Sequence, residues 1–441
     1  MPGNSVGMLE AISARVLPGA ARSSATRHAL LWSLFAVYAL DRADRTLVGA
    51  VAPSLKHAFS LSNVQIGELG TAYTIVSALA TVPAGALTDR LPRTRLLAVA
   101  LVLWAVAMIS TGAAVTFGLL LASRAFLGIV QAAAGPAVPS LTGDIVEAAQ
   151  RSRAMAVVDS GQLVGIGVGY VVAGVASALL GWRWAFLALA PPALLLAVSL
   201  WHGREPDRSV RGDRTETFSL WRAAGVVLRI RTNVLAIFAS GIGQYFFAGL
   251  STFAVVYVTE QYRVSQAEAD LGLPAVALAA LGGLFGGAWL ADRLRDRWHH
   301  TARLWVAGIS YVLAAAFAVP AIMTRSIWLA VPAIMAGVGF LNAATPTLDA
   351  LRLDVVRPDL RGRSEAIRTL VLTGFEGSAP LVFGILADHL AGGGRLGLEY
   401  AFLLTLPTVA FSGVLVIAAV PFYHKEQQRE AANDLQAGTP D

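Results

Sequence analysis

Asp41-Arg42-Ala43-Asp44-Arg45 places four charges in five residues inside Ala29 to Val51, a run that is otherwise largely apolar. At the centre of a bilayer a charged side chain costs roughly 2.5–3.5 kcal/mol on insertion scales, so it is kept only where it meets a partner or a water-filled cavity. The chemistry open to such a cluster is ion pairing, proton exchange and capture of an anion. On a helix Asp41 and Arg45, four apart, share a face that Tyr38 and Arg42 flank. The bland reading is an internal ion pair that only orients the helix. Further charged or polar residues fall inside apolar runs: Arg124 with Gln131 seven residues on, Asp159 and Glu376. Asp159 and Glu376 either line a cavity or sit in packed hydrogen-bonded pairs. Gln162, Gln244, Tyr245 and Asn342 read first as polar contacts between helices.

These residues need a membrane scaffold. Of 441 residues, 56% are hydrophobic and 14% charged, against roughly 25% charged in a soluble domain. Cysteine is absent, which removes disulfides and thiol chemistry. The net charge of +6 is carried almost wholly by arginine, Lys56 and Lys425 being the only lysines, a bias typical of a GC-rich bacterial genome. The arginines fall between apolar segments and form no single patch, so nucleic-acid binding is not expected. No G-x-x-x-x-G-K-S/T loop for a nucleotide occurs, and the seven histidines lie near loops or helix ends, giving no constellation for an enzyme. The first apolar run is too long and too charged for a cleavable signal core.

Twelve runs are long enough to cross a bilayer as helix: 29–53, 64–88, 96–114, 117–142, 154–180, 184–202, 233–259, 271–291, 303–322, 327–350, 366–390 and 398–422. The expectation is an all-α membrane protein of two pseudo-symmetric six-helix halves. The N-terminal segment is 1–27, the first half 28–202, a basic linker 203–231, the second half 232–422 and a tail 423–441. If the N-terminus is cytoplasmic, the inner loops hold Arg90, Arg93 and Arg95, then Arg151 and Arg153, then seven arginines from Arg204 to Arg231, and further arginines beyond. The outer loops hold only Lys56, Arg183, Arg263, Arg325 and Arg395. That asymmetry predicts both termini inside, and the multi-pass chain is expected in a bacterial inner membrane. Gly161, Gly165 and Gly169 recur every four residues, spacing that lets two helices approach closely.

The halves echo one another. Gly85-Ala86-Leu87-Thr88-Asp89-Arg90-Leu91-Pro92-Arg93-Thr94-Arg95 follows the second run, and Ala291-Asp292-Arg293-Leu294-Arg295 follows the eighth. The 85–95 segment resembles the loop signature G-x-L-x-D-R-x-x-R-x-R of the major facilitator superfamily, departing from it at Pro92. Arg124-Ala125-Phe126-Leu127-Gly128 and Gly181-Trp182-Arg183-Trp184-Ala185-Phe186 are similar to further pieces of that superfamily. By resemblance, the fold is the major facilitator fold, with the site near the midplane between halves. Asp89, Arg90, Arg93, Asp292 and Arg293 would act in gating: Asp89 would cap the eleventh helix near Gly362 and Ser364, and Asp292 the fifth near Ser152. Asp349, Arg352 and Asp354 read as gate ion pairs. Gly384-Ile385-Leu386-Ala387-Asp388 imitates the signature but falls at an outer helix end and is discounted.

Within the superfamily the pattern resembles the Spinster family of lipid transporters. The match rests on Asp41-Arg42, on Arg124 with its polar residue one heptad on, and on the run from Arg151 through Ser160-Gly161 to Gly169-Tyr170. That resemblance implies proton-coupled movement of an amphipathic lipid, such as a lysophospholipid or a sphingosine-phosphate-like lipid, by a monomer with no cofactor beyond the proton gradient. The family usually has glutamate where this chain has Gln131, which cannot titrate, so Asp41 is the expected proton carrier. At about 1.5 Å per residue, Asp41 and Gln131 lie roughly 18 and 21 Å, and Arg45 and Arg124 roughly 12 and 10 Å, from their outer helix ends. Asp41, Arg42, Asp44, Arg45, Arg124, Gln131, Asp159 and Glu376 thus make up the expected binding and coupling set. Arg124 was placed within reach of Asp41, and Arg42 or Arg124 would hold a phosphate. A proton-driven drug efflux pump and a non-transporting membrane lipid sensor are the competing readings; the Gly-Pro pair typical of drug antiporters is missing from the fifth helix.

Overall fold

Proline, glycine and capping side chains set where the helices start, break and stop. The computed structural model describes residues 5–146, 151–203, 205–206, 225, 227–298, 301–356, 361–392 and 394–426. Within these, the side chains of 5–26, 89, 151–153, 156, 295–298, 353 and 361–363 lie outside the description. The first half comprises α1 (Ser5–Ala50), α2 (Ala52–Phe59), α3 (Asn63–Arg90), α4 (Arg93–Gly112), α5 (Phe117–Gln131), α6 (Ala134–Ile145), α7 (Arg151–Leu179), α8 (Trp182–Leu187) and α9 (Ala190–His202). The second comprises α10 (Arg231–Tyr262), α11 (Gln266–Trp298), α12 (Ala302–Met323), α13 (Ile327–Val355), α14 (Arg361–His389) and α15 (Gly394–Ala418). Ser62 opens α3 with a capping box to Gln65, and Thr116 opens α5 by accepting the Leu119 amide. The fourth run breaks between α5 and α6, where Pro136 lacks an N–H and its ring crowds the preceding turn. The sixth breaks likewise before Pro191 and Pro192, which open α9. Gly181, at φ +91°, starts α8 in a conformation that L side chains rarely adopt.

Among the described residues eleven helical spans are long and apolar enough to cross a membrane. The first run is not one of them, because Asp41, Arg42, Asp44 and Arg45 lower its hydropathy. Yet α1 packs against α7, α10, α6 and α3, with Leu34, Leu47 and Ala50 fully buried, so it completes the expected set of twelve. Outward-facing side chains such as Leu195 and Trp328 are apolar and exposed, as lipid contact requires.

Three seams organise the bundle. On α7 the Cβ positions of Gly161, Gly165 and Gly169 lie 2.3, 2.2 and 2.6 Å from the carbonyl oxygens of Phe35, Ala39 and Ala43, so the glycine repeat presses α7 onto α1. Between halves, α3 packs on α14 and α7 on α11. The α3–α14 seam is tightest at the end away from the 203–231 connection, here the distal end as opposed to the linker end. Gly67 lies against the Pro380 carbonyl and Gly384 against that of Asn63, while a Cβ at Gly85 or Gly374, further toward the linker end, would meet nothing within 4 Å.

Candidate functional site

Asp41, 8% exposed, is the hub of the polar centre. Its Oδ1 accepts from Arg45 Nε at 3.2 Å one turn along α1, from Tyr73 Oη at 2.9 Å on α3 and from Gln131 Nε2 at 2.8 Å. Gln131 is the last residue of α5, so the break ahead of Pro136 positions the amide that reaches Asp41. The Arg45 guanidinium lies 4.9 Å above the Tyr73 ring, held by cation–π attraction as well as by Asp41. The expected neighbours Asp41, Arg45 and Gln131 are therefore together. Tyr73 was missed, since a lone tyrosine in an apolar run carries no sequence signal.

Arg124 does not reach Asp41, contrary to expectation. Its Nη1 donates to Asp44 Oδ1 at 2.9 Å and its Nη2 to Thr111 Oγ1 at 3.0 Å, with Phe186 5.1 Å away beneath the guanidinium. Depth alone placed Arg124 level with the cluster, but azimuth around α1 selects the carboxylate. The pair is closed off, with side-chain exposures of 1% and 0%. Removing one partner of such a buried pair costs about 3–5 kcal/mol, because the other is left charged and unpaired. Arg124 is thus paired with Asp44 in this conformation, and both residues line the central cavity.

Arg42 and Arg45 face a cavity of about 670 Å³ between the halves. Arg42 donates to Gln162 Oε1 on α7 at 2.9 Å, and Arg45 keeps 32% of its side chain accessible. From the second half Gln244, Asn342 and Glu376 also line the space. Glu376 makes no hydrogen bond or ion pair among the described residues, and it stands close enough to Arg45 to act on its charge. Apolar side chains also line it, among them Leu273 and Val276 on α11 and Ile334 and Val338 on α13. Asp159 is exposed, one turn from Gln162 toward the linker end of α7, and does not line the cavity. Among the described residues no group of three or more His, Asp or Glu side chains could hold a metal.

At the linker end the side chains of 89, 151–153 and 361–363 lie outside the description, so neither expected cap, Asp89 near Gly362 or Asp292 near Ser152, is seen. Arg90, Asp292 and Arg293 are exposed, Arg293 lying 5.3 Å from the Trp289 ring. Ser364 receives Arg352, which also meets Asn233 and Glu365. Asp349 and Asp354 pair with Arg368 and Arg303, all within the second half. Arg93 pairs with Asp144 and with Glu205, 2.8 Å away, and is nearly buried. Glu205 also takes the Thr94 amide and hydroxyl, capping α4. Burial works to raise this carboxyl, but the Thr94 amide and the Arg93 guanidinium outweigh it and hold Glu205 below the usual glutamate range.

Asp388, discounted in the sequence, is among the residues that join the halves. Asp388, at the distal end of α14, accepts the Asn63 amide at 3.1 Å and its side-chain amide at 2.8 Å on Oδ1, and the Val64 amide at 2.9 Å on Oδ2. A carboxylate at a helix N-terminus meets free amides and the positive end of the dipole. The signal was present: Gly384 to Asp388 repeats the spacing of Gly85 to Asp89.

The sequence model of the family described as Major Facilitator Superfamily matches residues 34–375. A probable sphingolipid transporter, spinster homolog 1, from Arabidopsis thaliana is 24% identical over 385 residues, 79% of this chain and 76% of that protein. A probable 4-methylmuconolactone transporter from Cupriavidus pinatubonensis is also 24% identical, over 88% of this chain and 89% of its own. Among solved structures, a bacterial homolog to the human lysosomal transporter Spinster, inward-facing and occupied, superimposes with a TM-score of 0.76 at 22% identity, covering 91% of this chain and 97% of the other.

Proposed function

The chain belongs to the major facilitator superfamily and is a multi-pass membrane transporter, and from that premise we propose that it moves an amphipathic lipid with an anionic headgroup, of lysophospholipid or sphingosine-phosphate type, by proton-coupled alternating access. The observation that carries this reading is the mixed lining of the cavity: the guanidiniums of Arg42 and Arg45 on α1 and apolar side chains of α11 and α13. A phosphate gains charge-assisted hydrogen bonds from arginine forks, while an acyl chain gains about 0.8 kcal/mol per buried CH₂.

Coupling follows from Arg45 having two acceptors to choose between. When a bound anion draws Arg45 from Asp41, the carboxylate keeps only the neutral donors Tyr73 and Gln131 in a nearly closed site. A buried carboxylate stripped of its cation costs several kcal/mol, and taking up a proton removes that cost. Return of Arg45 expels the proton. Arg42, tethered to Gln162 on α7, supplies the second guanidinium for the headgroup.

The test is uptake into proteoliposomes, with and without a pH gradient, of a lysophospholipid and a hydrophobic cation. Gradient-dependent accumulation of the lysolipid alone is the expected result. Uptake of the cation alone supports the efflux-pump reading, and no flux of either supports a sensor.

A further inference from the structure

Asp270, one turn into α11, is fully buried where the two halves meet at the distal end. Its Oδ2 has one long contact, 3.5 Å from Gln266 Nε2, and its Oδ1 has no hydrogen-bond partner. Gln266 is itself engaged across the seam: its Oε1 accepts from the Ser54 amide and hydroxyl at 3.2 and 2.5 Å, and its Nε2 donates to Ser177 at 2.6 Å. Opposite Asp270 on α7 stand Gly174, whose Cβ position is 3.1 Å from the Asp270 Cβ, and Tyr170, the titratable side chain that shares its field. From α2 the contribution is neutral, through Ser54. The charged groups of this end are occupied elsewhere: Lys56 with Glu260 and Asn63, and Glu268 at the first turn of its own helix. No guanidinium or ammonium faces Asp270 among the described residues.

A carboxylate in that setting bears the full cost of burial without a counter-charge, several kcal/mol, whereas a carboxylic acid bears only that of an imperfectly bonded hydroxyl. The groups around Asp270 also belong to both halves, which must part for the distal end to open. We propose that Asp270 is a proton-binding site of the distal seam, occupied by a proton from the distal compartment when that end is closed and emptied when it opens. It is separate from Asp41, which lies among the donors Arg45, Tyr73 and Gln131 of α1, α3 and α5. The consequence is a gate that reads pH: one proton held only in the closed conformation makes the open-to-closed ratio rise about tenfold per pH unit through the titration.

The proposal rests on the alternating-access reading, and the experiment separates the two. The chain has no cysteine, so spin labels at Ala58→Cys and Arg325→Cys, exposed sites at the distal end on opposite halves, report the distal distance by pulsed electron resonance from mildly acidic to mildly alkaline pH. In the otherwise wild-type chain the long distance grows as pH rises. In Asp270→Asn, and in Asp270→Ser should the first variant fold poorly, the short distance persists across the range; in Asp270→Glu the pH response remains. A response in both neutral variants equal to wild type overturns the assignment of Asp270, as does a wild-type open population that ignores pH. A single distal distance in wild type, unmoved by pH or by lysolipid, overturns alternating access itself.

Discussion

The two ends of the molecule are held in different ways. At the distal end the bonds cross between halves: Asp388 to the first turn of α3, Gln266 to Ser54 and Ser177, Lys56 to Glu260. At the linker end no ion pair among the described residues joins one half to the other: Arg93 pairs with Asp144 and with Glu205 of the linker, Arg303 with Asp354, Arg352 and Arg368 with Asp349 and Glu365. The α3 stripe that packs at Gly67, Gly70 and Thr71 continues along the same face to Thr81 and Gly85, where Thr81 is exposed and Gly85 faces open space; Leu370 on α14 is likewise 72% exposed. The contrast shows a seam closed distally and splayed toward the linker, with an unused packing surface available for the opposite arrangement. α3 and α14 run antiparallel and both end in Gly-x-x-x-Asp; of the two, Asp388 is seen on the other helix's N-terminus, at Asn63 and Val64.

The largest expected effect comes from wedging the closed seam. A leucine at Gly67 or Gly384 would set its Cβ 2.3 or 2.4 Å from a backbone oxygen that cannot move aside. Overpacking costs about 1–3 kcal/mol, so Gly384→Leu shifts the equilibrium toward the distal-open form about 5- to 150-fold. A single cysteine at Ala277, on the cavity wall, then reacts faster with an impermeant thiol reagent applied from the distal side. Unchanged reactivity would mean that the seam does not gate the cavity.

Smaller, and more informative, is a pair of opposite signs. Asp388→Asn removes the charge–dipole share of the distal cap, about 0.3–1 kcal/mol, raising the same distal labelling roughly 2- to 5-fold. Asp89→Asn is expected to lower it, by weakening the cap proposed for the linker-closed form, and to slow transport while substrate affinity stays within about threefold. If both substitutions move labelling in one direction, the reciprocal latch is wrong.

The smallest effect is local. Glu205 has its acidity strengthened in the folded chain, so its contribution to holding α4 is complete above the ordinary glutamate value near 4.5 and is lost as pH falls through the lower folded value. Hydrogen exchange in the first turn of α4 should accelerate on acidification over that window, and Glu205→Gln should flatten the response. Acid sensitivity persisting in Glu205→Gln would move the cause to Asp144, the other carboxylate on Arg93.

Composition and run length made the helix order legible, because twenty apolar residues have few other uses, and four-residue spacing made the α1–α7 seam legible in Gly161, Gly165 and Gly169. Asp41 with Arg45 is a contact within one helix turn and was readable for the same reason. What failed were choices among partners on different helices. Asp41 and Asp44 lie three residues apart on α1, so depth arithmetic could not tell which of them Arg124 would meet. Asp388 was set aside because its role depends on where the N-terminus of α3 lies in space, more than three hundred residues away in sequence. Asp270 gave no signal at all: in the chain it is one more acid near a helix start, and only the approach of α7 across the seam buries it.

The most direct test of the account is gradient-driven accumulation by Asp41→Asn beside wild type in the same proteoliposomes, with downhill lysolipid exchange measured in parallel. Asparagine keeps an oxygen for Tyr73 and Gln131 but has no exchangeable charge. The account predicts that Asp41→Asn loses accumulation under a pH gradient and retains exchange. Accumulation equal to wild type would contradict it and pass the coupling role to Glu376, the acid that faces Arg45 from the other half.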